Sequence, residues 1–384
     1  MNAIGADKSE AARVVQRPAI VQETRPGMDV TRILFQAHQE LHLSLRPIPG
    51  EKPLGMASRL ASVLKAHDAR VVRHEVFGSR AVYAETMQAL QREIGEFDWP
   101  VTWVGGEIHS ETGIYGMHVF AVAGTPRETV WQDGQPVGRI FSDGCFKHCI
   151  LGGITSSKPN ALKSDQCREL LERLAAILGE AGMDMTNVVR TWFFLDDIFG
   201  WYGDFNRARN EFFSRTKVFS GLVPASTGIG GQNPLGSALV AGVWAVRAET
   251  ESATVREVVS PLQCPATNYG SAFSRAILME AEGWGRLLVS GTASIGPGGE
   301  TVHGGDLMKQ IETSMAVTQA ILKSCGFDYA DVTRAIAYFK NAQEDSTLAS
   351  GKEWLEEKCP HTIVAQADIC RPDLLFEIEL DAIL

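Results

Sequence analysis

The residues best suited to chemistry in this 384-residue chain lie near its C-terminus. In the run DLLFEIELD (Asp373–Asp381) side chains alternate as they must on a strand, where neighbours point to opposite faces. Leu374, Phe376, Ile378 and Leu380 fall on one face, and Asp373, Leu375, Glu377, Glu379 and Asp381 on the other. A half-exposed strand with a solvated acidic face explains this pattern. If the acidic face instead meets another part of the chain, a carboxyl there loses water and its neutral form is favoured. It then becomes a proton donor near neutral pH. Glu377 is the candidate acid. Cys370 lies seven residues earlier, and a lone cysteine by itself reads as a small buried hydrophobe. Arginine is the best clamp for a carboxylate. Arg275 and Arg209 are candidates, and each reads equally well as a surface charge or a stem lying on apolar surface. Tyr202, seven residues before Arg209, can share its helix face.

Other groups carry less. His38 and His42 stand at helical spacing, but they do not form HExxH and have no third ligand. Cys145, His148 and Cys149 open a buried strand without further ligands downstream. GIGGQNPLG (Gly228–Gly236) lacks the lysine of a phosphate loop and the strand-to-helix context of a dinucleotide site. No metal and no cofactor is expected. The net charge of −10 gives no basic field for nucleic acid or membrane, so an anionic ligand must be held by a few local cations. Hydrophobic residues at 45% are enough for a packed core, and no apolar run approaches membrane-spanning length. The seven cysteines are scattered without a CxxC pair, which fits free thiols in the cytoplasm. Residues 1–27 are polar and lack the apolar core of a signal peptide, so a flexible N-terminal arm is expected there.

The elements that must position these residues repeat along the chain. Ile177–Asp197 overlays Ile321–Asn341 without a gap, matching Ile177/Ile321, Leu178/Leu322, Gly182/Gly326, Asp184/Asp328, Val188/Val332 and Arg190/Arg334. Each segment reads as a helix end, a glycine stop, a turn and a strand. Val63–Gly78 is a fainter third copy, its VVRHEVF matching VVRTWFF. Apolar strands precede the two later helices (Cys149–Ser156 and Leu287–Ser294). Second helices follow (Tyr202–Arg215 and Thr347–Lys358), and closing strands end the copies at Ile114–Ala123, Ser237–Val246 and Leu374–Ala382. The expected fold is α+β, with units at 28–125, 126–250 and 251–384, each a sheet covered by two helices. Each sheet leaves one face open. Three units in one chain can cover one another as a pseudo-trimer, giving a monomer with internal pseudo-threefold symmetry or a low-order oligomer.

This pattern resembles the RidA/YjgF family, whose chorismate-mutase-like units normally form homotrimers with sites at the subunit interfaces. The shared features are Ser290–Gly291, the helix–glycine–strand segments and the closing EIE of Glu377–Glu379. RidA-type imine deaminases carry an arginine ahead of the last strand. Here Gln232 stands at that position in the second unit and Ile369 in the third, with Arg371 displaced by two residues. The third unit is more similar to the chorismatase branch through NYGSAFSRA (Asn268–Ala276), LLVSGTASI, GDLMKQIETS and ADICRPDLLFEIE (Ala367–Glu379). The second unit adds VVRTWFFLDDI and PASTGIG (Pro224–Gly230), which resembles that branch's PAATGIG turn. Tyr338, Phe339 and Lys340 replace a YVR, and Trp192, Phe193 and Phe194 replace a WNY, which leaves the substrate open.

The resemblance implies a hydrolase or lyase that cleaves the enolpyruvyl ether of chorismate or a related cyclic carboxylate and releases pyruvate. In that reading Glu377 is the acid and Cys370 matches the cysteine of the aromatising members. Arg275, Arg209, Lys340, Tyr202, Ser290 and Arg371 bind a small anionic substrate. Two alternatives stand beside it: a RidA-type enamine or imine hydrolase using Arg371, and a non-catalytic small-molecule-binding or scaffold protein. Should the third unit build its pocket with the first instead, Trp99, Trp103 and His118 are the nearest equivalents. Ribonuclease activity has no support in the charge or in any basic–aromatic pattern.

Overall fold

The later long helices show how the sequence repeats in three dimensions. In α3 (Lys163–Glu180) the inward stripe is Gln166, Cys167, Leu170, Leu171, Leu174, Ile177 and Leu178. In α5 (Leu307–Ser324) Gln310, Ile311, Ser314, Met315, Thr318, Ile321 and Leu322 are buried at the same spacing. Both stripes have the three-and-four rhythm of a helix lying on a sheet. Gly182 and Gly326 follow the two helices at φ +73° and +82°, a conformation glycine adopts without strain. Asp184 and Asp328 then cap the short turns that lead into the next strands.

The structure, a computed structural model, describes residues 17–95, 98–106, 113–340 and 346–384. Three six-stranded sheets share one topology. The first contains β1 (Ala19–Arg25), β2 (Met28–Leu34), β3 (Gln39–Leu45), β4 (Arg70–Gly78), β5 (Val101–Val104) and β6 (Ile114–Ala123), in the order β1-β2-β3-β6-β4-β5. The second contains β7 (Arg127–Gln132), β8 (Gln135–Ser142), β9 (Phe146–Ile154), β10 (Val188–Leu195), β11 (Ala225–Gly230) and β12 (Leu239–Ala248). The third contains β13 (Thr254–Val258), β14 (Ala276–Ala281), β15 (Trp284–Ala293), β16 (Val332–Phe339), β17 (Thr362–Gln366) and β18 (Phe376–Ile383). Helices α1 (Pro53–Ala66) and α2 (Tyr83–Ile94) belong to the first sheet, α3 and α4 (Ile198–Arg215) to the second, and α5 and α6 (Ser346–Lys358) to the third. Each sheet buries one face against its helices in its own core. The other faces meet in a single central core that draws on all three sheets, with Phe77, Phe120, Trp192, Trp244, Ile277 and Tyr338 among its members.

The sheets close on one another cyclically. Edge strand β5 rests on β9, β11 on β15, and β17 on β3 and β6. Around the centre stand Arg73, Arg190 and Arg334, one from each sheet, each following a register irregularity in its strand. Glu75, Glu379 and Asp381 neutralise them. Arg190 Nη2 lies 2.6 Å from Glu379, Arg73 Nη2 2.7 Å from Glu75 and Arg334 Nη2 2.9 Å from Glu75, and Arg334 also pairs with Glu379. The central face of the first sheet is unusually polar, with Thr31, His42, Ser44 and His118 all buried on it. Among the described residues the side chains of Thr31, Ser44 and His118 have no hydrogen-bond partner.

Three expectations need correction. Residues 19–25, read with the arm, form edge strand β1; a polar stretch can join a sheet through backbone hydrogen bonds alone. PASTGIG, read as a turn, is mostly strand β11, parallel to β10 and covered on its free side by the next sheet. His38 and His42 share no helix face, because His42 lies in β3 and His38 in the turn before it. Residues 1–16 of the expected arm lie outside the described residues. Among the described residues no helix is long and apolar enough to cross a membrane.

Candidate active site between the second and third units

Glu377 enters β18 opposite Tyr338 of β16. The equivalent register positions are Val240, opposite Phe194, in the second sheet and Gly116, opposite Phe77, in the first. The acid therefore exists in one copy of three. Its strand start is pinned by Gln310 of α5, whose amide donates to Asp373 O at 2.9 Å and accepts from Leu375 N at 2.8 Å. Gln166 of α3 holds Ala238 N in the same way ahead of β12. This glutamine pair recurs at one spacing in the repeat and was a readable but unread signal.

The Glu377 side chain, 5% exposed, faces a cavity of about 70 Å³ at the seam between the second and third sheets. No described residue hydrogen-bonds its carboxyl. Burial pushes its pKa up to about 8, the charge of Glu379 adds to this, and Arg190 and Arg275 pull part of the way back. Glu377 is thus largely protonated at neutral pH, as a general acid requires. The structure brings five of the other expected site residues to the same cavity: Tyr202 and Arg209 from α4, Arg275 ahead of β14, and Cys370 and Arg371 ahead of β18. Arg209, 2% exposed, donates through Nη2 to Asn206 Oδ1 at 2.8 Å and lies over the Phe205 ring. Arg275 spends Nε and Nη2 on Cys264 O, at 3.1 and 2.9 Å. Arg371 donates to Gly299 O at 2.8 Å and stacks over Tyr269. Burial pushes the Cys370 thiol up to about 12, with Glu377 adding to the effect, so it is a thiol and not a nucleophilic thiolate at neutral pH. Burial and the nearby Cys370 likewise keep the Tyr202 phenol protonated.

Two expected residues lie elsewhere. Lys340 reaches Pro372 O and the Phe199 ring beside a separate polar hollow formed by all three units, where the Pro372 carbonyl holds its ammonium. Ser290 is fully buried, and its hydroxyl donates to Ser274 O at 2.5 Å and accepts from Ser226 N at 2.9 Å, so it ties β15 to β11 and does not line the cavity. Of the fallback residues in the first unit, Trp99 and Trp103 pack under α1 and α2, and His118 sits in the central core face. Sequence reading missed Tyr269 and Phe273 as cavity walls, although both lie inside the NYGSAFSRA run. Among the described residues no group of three or more His, Cys, Asp or Glu side chains is placed to hold a metal.

Gly291 completes the site. A Cβ on it would overlap Glu377 Oε1 and crowd Thr227 Oγ1. Since the obstructing atom is a side-chain end, Gly291→Ala is expected to fold almost normally but to displace the carboxyl. A shift of about 1 Å in a reacting group costs on the order of a hundredfold. Kinetic constants and thermal melts of the variant check this.

These observations define a class: a single chain in which three like units form a trimer-like body with an acidic site at one seam. The sequence profile described as Endoribonuclease L-PSP matches residues 153–231 and 270–384, and the chain belongs to that family, the RidA/YjgF family. The crystal structure of a chorismatase at 1.08 Å resolution superposes with a TM-score of 0.60 and 21% identity, covering 82% of this chain and 93% of that one. Single-unit relatives match about a third of the chain. A YjgF-family protein from Mycobacterium tuberculosis is 20% identical over 34% of this chain and 100% of its own, with a TM-score of 0.27. E. coli TdcF with bound serine is 17% identical over 34% of this chain and 98% of its own, also with a TM-score of 0.27. A comparison with curated proteins gives no match.

Proposed function

We propose that the chain is an enzyme of the chorismatase type that cleaves the enolpyruvyl ether of chorismate or a related cyclic carboxylate. The observation that carries this reading is Glu377: a buried carboxyl with no hydrogen-bond donor, protonated near neutral pH, in a cavity flanked by Arg209 and Arg275. Its proton passes to the enolpyruvyl methylene, which leaves an oxocarbenium ion at the ether carbon. Water adds there and gives its proton back to the Glu377 carboxylate, and the hemiketal collapses to pyruvate and the ring alcohol. The arginines hold the substrate carboxylates while the positive charge develops. A cavity of about 70 Å³ takes only a few waters, so a ring substrate must displace part of the wall, for which Tyr269, Ser271 and Phe273 ahead of β14 are the candidates.

Incubation of the pure protein with chorismate, with pyruvate read by a coupled lactate dehydrogenase assay, tests the reading. Release of pyruvate supports it; no pyruvate from chorismate or from other cyclic enolpyruvyl ethers rejects it. Arg209→Ala is expected to raise KM at least about tenfold, the effect of losing one charge-assisted bond. Its melting temperature should fall only by the packing lost over Phe205, since Arg209 has a single hydrogen bond to the protein, and the KM effect is read at a temperature where the variant is folded. An unchanged KM would remove Arg209 from the site.

A further inference from the structure

Glu377 and Glu379 sit two residues apart on β18 and point to the same face. At the rise of an extended chain their Cα atoms are separated by roughly 7 Å. Their surroundings differ sharply. Glu379 is fully buried and accepts from Arg190 at 2.6 Å, from Trp192 Nε1 at 3.1 Å, from Tyr338 at 3.4 Å, and from Arg334 and Thr227 at shorter range. With so many donors it has no room for a proton of its own. Glu377 has none of them. Thr227, which could bridge the two carboxyls, turns its hydroxyl to Glu379 and accepts from Gly291 N at 3.1 Å.

We propose that Glu379 is a positioning residue whose fixed negative charge adds to burial in holding Glu377 in its acid form, with Arg190 as the opposing charge that sets how strongly. The proposal rests on Glu377 being the acid of the site described above, but it does not depend on which substrate that acid serves. The other groups facing Glu377 do not account for its protonation. On α4, Tyr202 is neutral and Arg209 is cationic; ahead of β14 and β18, Tyr269 is neutral, Arg275 and Arg371 are cationic and Cys370 is a neutral thiol; on β16, Tyr338 is neutral. Every cation in that set favours the ionised carboxylate. Apart from burial, Glu379 is the one group among them that opposes it. Nor is Glu379 required by the repeat, since the second and first sheets carry Gly242 and His118 at the same register.

The test is a titration of Glu377 in the substrate-free protein, read by infrared difference or carbon NMR on labelled glutamate. Its signal is assigned by its loss in Glu377→Gln. In Glu379→Gln the midpoint is expected to fall from about 8 to about 7 or lower, and in Arg190→Gln to rise. The double variant Arg190→Gln/Glu379→Gln, which keeps the core neutral, is expected to stay near the wild-type value. The alkaline limb of the kcat–pH profile should move in the same directions. If Glu379→Gln does not fold, the other two variants decide: an Arg190→Gln midpoint that fails to rise overturns the proposal. So does a fall in all three variants, which would signal loosened burial in place of a lost charge. Because the titration uses no substrate, its failure is separate from a failure to release pyruvate.

Discussion

Glu377→Gln is expected to lower turnover by about a hundredfold to ten-thousandfold, the range that a positioned acid contributes. The amide keeps the shape but has no transferable proton. Wild-type activity should decline above pH 8 as the acid form is lost, while the residual activity of the variant should be flat there. Stability gives a second check, with a defined sign. Glu377 holds its proton more tightly in the folded than in the unfolded chain. Its contribution is therefore full below the ordinary carboxyl range and is lost as pH rises toward about 8. Glutamine has no such pH-dependent loss. The variant should melt at or above the wild-type temperature above pH 8, whereas an overall folding defect would lower it at every pH.

Arg334→Ala is expected to cost about 3–5 kcal/mol or more in urea unfolding, enough to unfold a marginal domain. Its guanidinium is completely buried and neutralises Glu75 and Glu379, with Asp381 at 3.7 Å. Alanine would leave these carboxylates in the core with only Arg73 and Arg190 opposite. The same substitution at Arg256, paired with Glu280 at 3.0 Å but half exposed, should cost within about 1 kcal/mol. A similar loss at both positions would mean that the central charges are not coupled as described.

The repeat was legible because helix periodicity and glycine stops are local properties. The stripes of α3 and α5 and the turns at Gly182 and Gly326 can be read from neighbouring residues alone. The shared arginine of Arg73, Arg190 and Arg334 was equally visible, but its role was not, since the carboxylates it meets lie more than a hundred residues away in two of the pairs. The edge strands β5, β11 and β17 were missed for a related reason. They are short, and Ala225–Gly230 looks like a turn until another sheet covers it. The alternation around Glu377 allowed either a wet face or a buried one. The choice was made by the second unit, through Tyr202 and Arg209, and no periodicity within β18 contains that information. Lys340 was placed in the site from a family position, and the course of the chain after β16 takes it elsewhere.

The cyclic contact of β17 with β3 and β6 also has a consequence in time. A ribosome finishes β6 at Ala123 and reaches Thr362, the start of β17, only after adding more than two hundred further residues. At ordinary elongation rates that is a wait of roughly 10 to 50 seconds. Throughout it, the part of the first sheet that β17 will cover, on β3 and β6, stays open to water. A face made wholly of residues like Phe77 and Phe120 would be an aggregation hazard for so long an exposure. Thr31, His42, Ser44 and His118 make that face partly wettable, and in the finished molecule their buried polar atoms lose the water that served them during synthesis.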